Sequence, residues 1–325
     1  MLTIIKNDWK RMWEIKGALI LAVCLTIISV AAAILLTNKA VVKGNIAVVG
    51  ESKANLDSHY FDVTYLKKKP AESKLIQNRY DAVITMKKDG SFTIDTIKSD
   101  DLRNELENAI QNPEAFQDTK MQSERRIGTN IFGYMMMFLL MQGSLYARLF
   151  AEDKEKHVAE RILVSPIPFH NYIFGHGIFM TSLIFIPSFL VVAVASIFGI
   201  DIGFSLLQYA VLIGVLSLLS TAFALFVNSF FNVSDTANMI CNSVVVLTSV
   251  LGGSFYSVTK ESSIFNKLLH FLPQKDLLAF ADAWEKNSMT NMKQYELIYV
   301  ILLIVVLLAI AVLRTRREYI YSRSE

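Results

Sequence analysis

The chain has 325 residues, of which 53% are hydrophobic and 19% charged, and a mean hydropathy of +0.40. That charge share lies below the roughly 25% of ordinary soluble domains, and the apolar residues come in blocks rather than in a helical stripe. Cys24 and Cys241 both fall inside apolar blocks, which excludes a disulfide framework, and the net charge of +3 does not point to a nucleic-acid partner.

A helix needs about 20 mostly apolar residues to cross a bilayer. Six such blocks occur, near 17–36, 131–148, 173–199, 204–228, 236–256 and 296–313. None has an Asp, Glu, Lys or Arg in its interior. One such residue at mid-bilayer costs about 2.5–3.5 kcal/mol. The expected fold is therefore an all-α polytopic membrane protein with six transmembrane helices. A small extracellular α+β domain is inserted between helices 1 and 2.

In chain order, residues 1–16 carry Lys6, Lys10, Arg11 and Lys16 beside Ile5, Trp9, Met12 and Trp13. This predicts a cytoplasmic amphipathic helix at the membrane surface, with Trp9 and Trp13 as interfacial anchors in membrane lipid. Residues 17–36 follow as transmembrane helix 1, too long for a cleavable signal and so a retained span.

Residues 37–130 form the extracellular domain. NIAVVG and FDVTYL predict strands, and 71–79 a short helix. DAVITMKKDGSFTIDTI predicts a hairpin around Lys-Asp-Gly, and SDDLRNELENAI a capped helix.

Transmembrane helix 2 spans 131–148, and a charged cytoplasmic loop spans 149–171. Helices 3–5 occupy 172–256. The segment 257–295 is half apolar and too short to cross, and it predicts extracellular or re-entrant helices broken at Pro273. Helix 6 spans 296–313 and a cytoplasmic tail 314–325. Basic residues cluster in the N-terminus, in the 149–171 loop and in the tail, so both termini face the cytoplasm of a cell-membrane protein.

No phosphate-binding G-x-x-x-x-G-K-[ST] loop, G-x-S-x-G elbow or H-E-x-x-H motif is present. His157, His170 and His176 share no metal-binding spacing. The chain is expected to be non-catalytic and to hold no metal or cofactor itself.

The strongest local feature is EDKEKHVAERILVSPIPFHNYIFG, residues 152–175. Its Ile162, Leu163 and Val164 are apolar in a segment that should be wet, which suggests a helix docking onto a cytoplasmic partner. The run Glu160, Arg161, Ile162, Leu163, Val164, Ser165, Pro166 and then Gly175 resembles the cytoplasmic loop of ATP-binding-cassette type-2 permeases. The order of elements is similar to the subfamily with a large first extracellular domain. His157-Val158 stands where that family usually has Gly-Thr, and His176 where a basic residue is common.

The resemblance implies two permease chains, identical or paralogous, above two ATPase subunits that bind ATP and Mg. It places Glu152, Glu155, Glu160, Arg161, Ile162, Leu163 and Pro166 at the ATPase-coupling interface. Separately, Asp235, Asn238, Asn242 and Ser249 lie along one face of span five, and Met137, Met141 and Gln142 lie on span two. Polar groups there point to helix–helix hydrogen bonding, a translocation path or a dimer seam. The expected function is that of a permease subunit exporting a lipid, a peptide or a membrane-active antibiotic. A sodium or other ion efflux permease, or a membrane-anchored sensor, are the alternatives.

Overall fold

The computed structural model describes residues 2–14, 16–40, 45–49, 62–66, 70, 80–86, 92–96, 100–111, 125–158, 169–254, 271–288 and 291–321. The chain forms two compact units, Met1–Ile34 with Arg126–Glu325, and Leu35–Arg125.

The larger unit is helical. Its helices are α1 (Leu2–Glu14), α2 (Lys16–Ala40, which runs on into the smaller unit), α4 (Ile127–Glu155), α5 (Phe169–Ile197), α6 (Leu206–Asn228), α7 (Ser234–Leu251), α8 (Pro273–Glu285) and α9 (Asn291–Tyr321). Sequence explains several of the boundaries. Ser205 and Gln208 form a capping box that starts α6. Pro273 opens α8 at its first turn, where a missing N–H costs nothing.

Among the described residues, three helical segments are long and apolar enough to cross a membrane, Asn171–Ile197, Leu206–Asn228 and Lys293–Glu318. The described part of α2 contributes a shorter apolar stretch, Val23–Ala33. The outer faces are apolar as well. Ile186, Leu190 and Val194 on α5, and Leu302, Val305 and Leu313 on α9, are exposed. A belt of that size on a soluble surface would drive aggregation, whereas in a bilayer it faces lipid.

α4 is the centre of this unit. Gly143 lies so close to Ser220 on α6 that a Cβ there would collide with it, and Ser220 Oγ donates to Leu139 O at 2.8 Å. Gln142 Nε2 donates to Thr26 Oγ1 of α2 at 2.7 Å, and Ser144 Oγ to Asn238 Oδ1 of α7 at 3.0 Å. Thr181 Oγ1 of α5 donates to Thr221 Oγ1 of α6 at 3.1 Å. Small residues and buried hydroxyls at close crossings are how helices adhere where lipid removes the hydrophobic drive.

The helices alternate in direction. One end gathers α1, the last turns of α4, α6 and α9, and the first turns of α5 and α7. The other end gathers the start of α4, the 198–205 turn and the end of α8.

The smaller unit holds a four-stranded sheet of β1 (Asn45–Val49), β2 (Asp62–Leu66), β3 (Ala82–Met86) and β4 (Phe92–Thr96), with helix α3 (Asp100–Gln111). The order is β2-β1-β3-β4, with β1 parallel to β2 and β3, and β4 antiparallel to β3. Ile46, Val48, Ile84 and Ile94 face Leu106 and Ala109 of α3, while Ala47, Val49 and Val83 face the opposite side. Central parallel strands are covered on both faces, which is why NIAVV is a continuous apolar run. The expected hairpin strands are present, as is the helix that follows them, while its expected cap at Ser99 lies outside the described residues. The 71–79 helix lies outside the described residues.

Helix boundaries differ from the sequence reading at one informative place. The charges at 152–155, expected to open the cytoplasmic segment as a charged helix of its own, continue α4 by a full turn. Each of them has an ionic or hydrogen-bonding partner, so the helix continues past its apolar part.

Candidate functional site

The last turn of α4, Glu152 to Glu155, is a hub of charge. Asp153 is buried, and its Oδ1 accepts from Arg11 of α1 at 2.6 Å. Its Oδ2 accepts from Tyr172 OH at 3.4 Å and lies 3.6 Å from His176 Nε2. On the far side of the same ring, His176 Nδ1 is 2.8 Å from Asp8 Oδ2. Asp8 and His176 are each 1% exposed, so the pair is fully desolvated. Phe150 and Tyr172 pack edge-on to the imidazole. One imidazole therefore sits between carboxylates on α1 and α4 from its seat on α5.

Lys154 is 6% exposed and reaches the opposite way. Its Nζ pairs with Glu318 Oε2 of α9 at 2.8 Å and donates to Phe231 O at 3.1 Å. Glu155 Oε2 accepts from Ser234 N, at 3.4 Å, at the start of α7. A carboxylate at a helix N-terminus is favoured by the macrodipole. Arg314 of α9 lies over the Phe230 ring at 5.4 Å.

Glu152 faces outward between Arg148, at 2.9 Å, and Lys156, at 3.3 Å. Partial burial alone would raise its carboxyl. The hydrogen bonds and charges of those two side chains outweigh burial and hold it below the ordinary value.

The helix then stops in a left-handed turn at His157, φ 56°, with His157 N donating to Lys154 O at 3.1 Å. This is the backbone conformation that glycine provides at many helix ends. The position where the resemblance expects Gly thus keeps glycine's geometry with a histidine in it. Glu160, Arg161, Ile162, Leu163 and Pro166 lie outside the described residues.

The other candidate residues are distributed as follows. Ser249 is buried, with no hydrogen-bond partner for its Oγ among the described residues, and Asn242 Oδ1 is in the same position. Asn238 is tied to Ser144 across the α4–α7 seam, and Asp235 is exposed in the first turn of α7. Gln142 is buried but bonds to α2 rather than α7. Met137 and Met141 are half-buried. Trp9 packs edge-on to Phe179 of α5, with ring centroids 5.6 Å apart, and is half-buried there. The side chain of Trp13 lies outside the described residues.

At the other end, Glu285 closes α8 onto α4. Its carboxylate accepts from Gly128 N at 2.8 Å, Thr129 N at 2.7 Å and Thr129 Oγ1 at 2.7 Å. Two of these three donors are otherwise unpaired amides at the start of α4, which the carboxylate satisfies. Gly203, φ 76°, fits against Gly128 there, where any Cβ would collide with the backbone.

Sequence reasoning missed Asp8, Asp153, Lys154, His176, Glu285 and Glu318 as partners. The available signal was polarity at an apolar edge. His176 stands in the run IFGHGIFM, and Asp8 sits beside Trp9.

These features define a helical membrane protein with a polar hub at one end of its bundle. The family model described as ABC-2 family transporter protein matches residues 16–313, and the chain belongs to that family. It is a family of membrane permease subunits of ABC transporters, generally non-catalytic, that work with an ATPase subunit. Comparison with curated proteins gave no match.

Proposed function

We propose that this chain is the transmembrane subunit of an ATP-driven exporter in the cell membrane, with both termini in the cytoplasm. α2, α4, α5, α6, α7 and α9 are the six spans, and the Leu35–Arg125 unit is external. Two copies of an ATPase subunit bind ATP and Mg below a pair of permease chains. The cargo is an amphipathic molecule, because the spans offer few polar positions.

One observation carries this reading. The last turn of α4 is bonded at once to α1, α7 and α9, and the 159–168 segment leaves directly from it. A push on that segment would move several helices together, as coupling between two sites through a rigid element requires. The basic residues Arg11, Arg148, Lys156 and Arg314 collect at this end, which suits the cytoplasmic side. Ser144–Asn238, Asn242 and Ser249 support α7 as a path or seam helix.

The test is transport-coupled ATP hydrolysis in the reconstituted complex. Glu160→Ala and Arg161→Ala should uncouple hydrolysis from transport while the complex still assembles. Unchanged coupled activity in both would remove those residues from the interface.

A further inference from the structure

α9 carries an apolar stripe on its outer face. Leu302, Val306, Ala309 and Leu313 recur there at helical spacing and are all exposed, Leu302 at 59% and Leu313 at 61%. One further turn brings Arg316 and Arg317 onto the same stripe, both exposed. At a rise of about 1.5 Å per residue, their backbones lie roughly 5–6 Å beyond Leu313. A leucine that open belongs against lipid tails, which sets the two guanidiniums at the depth of the lipid phosphates.

These guanidiniums have no counter-charge. The acid next to them in sequence is Glu318, and buried Lys154 holds it from the inner side of the helix at 2.8 Å. Arg316 and Arg317 make no ion pair or hydrogen bond among the described residues. A third guanidinium, that of Arg314, lies over the Phe230 ring at 5.4 Å, and this half-exposed ring pins it where α6 turns into α7. Bases at the other end of the bundle are treated differently. Lys286 pairs with Asp282 and Lys293 with Glu296. Positive charge is thus left open where the lipid-facing stripe of α9 ends.

We infer that the last turns of α9 are a binding site for an anionic phospholipid. Its phosphate oxygens accept from Arg316 and Arg317, whose forked N–H groups match a phosphodiester better than a lysine would. Arg314 adds its charge from the side. An acyl chain of the same lipid lies along Leu313, Ala309 and Val306. The inference goes beyond the export reading, since it needs neither ATPase nor transport. A free phosphate or an acidic protein surface would meet the charge but leave the apolar stripe beside it uncovered.

The experiment uses the full chain in nanodiscs of equal parts phosphatidylcholine and phosphatidylglycerol. With Cys24 and Cys241 replaced, a single cysteine at Ala309 carries a bimane fluorophore. A reference preparation carries it at Val194, which is exposed near the far end of α5. Bromine on the acyl chains of one lipid at a time quenches the label and reports which lipid lies beside it. At position 309 phosphatidylglycerol should be preferred about tenfold, the order expected of two or three basic residues at a lipid surface. At position 194 neither lipid should be preferred. Arg316→Gln with Arg317→Gln should bring position 309 to the reference value, and Arg316→Lys with Arg317→Lys should retain part of the preference. If the glutamine variant does not assemble, the comparison of 309 with 194 decides alone. Equal preference at the two positions would overturn the proposal, as would a preference that survives R316Q/R317Q. So would displacement of the lipid by inorganic phosphate beyond that by chloride of equal ionic strength, the result for a free-anion site.

Discussion

Lys154 Nζ sits 2.8 Å from Glu318 Oε2 and ties the last turn of α4 to the last turn of α9. The lysine side chain is 5% exposed and the glutamate 33%, so the pair is buried on one side only. Removing the lysine strands Glu318 and bares the carbonyls of Ser229 and Phe231. Lys154→Met should cost about 2 kcal/mol, since unpaired buried groups carry most of the penalty. Glu318→Gln keeps an acceptor and should cost less. Denaturant titration of the purified chain in detergent, with both variants side by side, checks the order.

Glu285 stands at the start of α4 and acts as its cap from another helix. Glu285→Ala should cost about 1–2 kcal/mol, the range for losing a cap with its favourable charge. Glu285→Gln should fall between wild type and alanine. Hydrogen exchange at the first turn of α4 should speed up in the same order.

Gly143 and Gly177 form a controlled pair. A Cβ at Gly143 meets the Ser220 backbone oxygen at 2.7 Å as well as its side chain, while at Gly177 the nearest atom is Leu225 Cδ1 at 3.8 Å. Gly143→Ala should push α4 off α6 and cost about 1–3 kcal/mol. Gly177→Ala should be neutral or stabilising. Melting temperatures of the two variants measure the difference.

The left-handed His157 gives a prediction of opposite sign. A non-glycine residue in that conformation costs about 1 kcal/mol, so His157→Gly should raise stability by up to about that amount. A fall in stability would mean that the imidazole's own interaction outweighs the backbone strain.

Glu152 sets a small pH dependence. Its carboxyl is held below its ordinary 4.5 when folded, so the stability it contributes is present above that value. That stability is lost as pH falls through the lower folded value. The group is only partly buried and its partners are exposed, so the effect is small. Arg148→Gln together with Lys156→Gln should flatten this part of the stability curve on the acid side of 4.5.

Much of the helical plan was legible because apolar length reports the bilayer directly. The spans at α5, α6 and α9, the β3–β4 hairpin strands and the opening of α8 at Pro273 all follow from local pattern. The run NIAVVG announced a strand but not its parallel neighbours, because pairing between β1, β2 and β3 is a long-range choice. The hub was the harder part. Nothing local says that Asp8 and Asp153 flank one imidazole, since nearly half of the chain separates them and they meet only when α1 docks on α4 and α5. Lys154 and Glu285 were hidden for the same reason. Each looks like an ordinary charge in a polar segment, and only its partner on another helix makes it specific.

The claim that the hub end of α4 faces the ATPase is tested most directly by cross-linking. With Cys24 and Cys241 replaced, single cysteines at Lys156 and at Lys286 mark the two ends of the bundle. In the intact complex, a short bifunctional reagent should join position 156, and not position 286, to the ATPase subunit. A cross-link from position 286 with none from 156 would contradict both the topology and the coupling role given to this end.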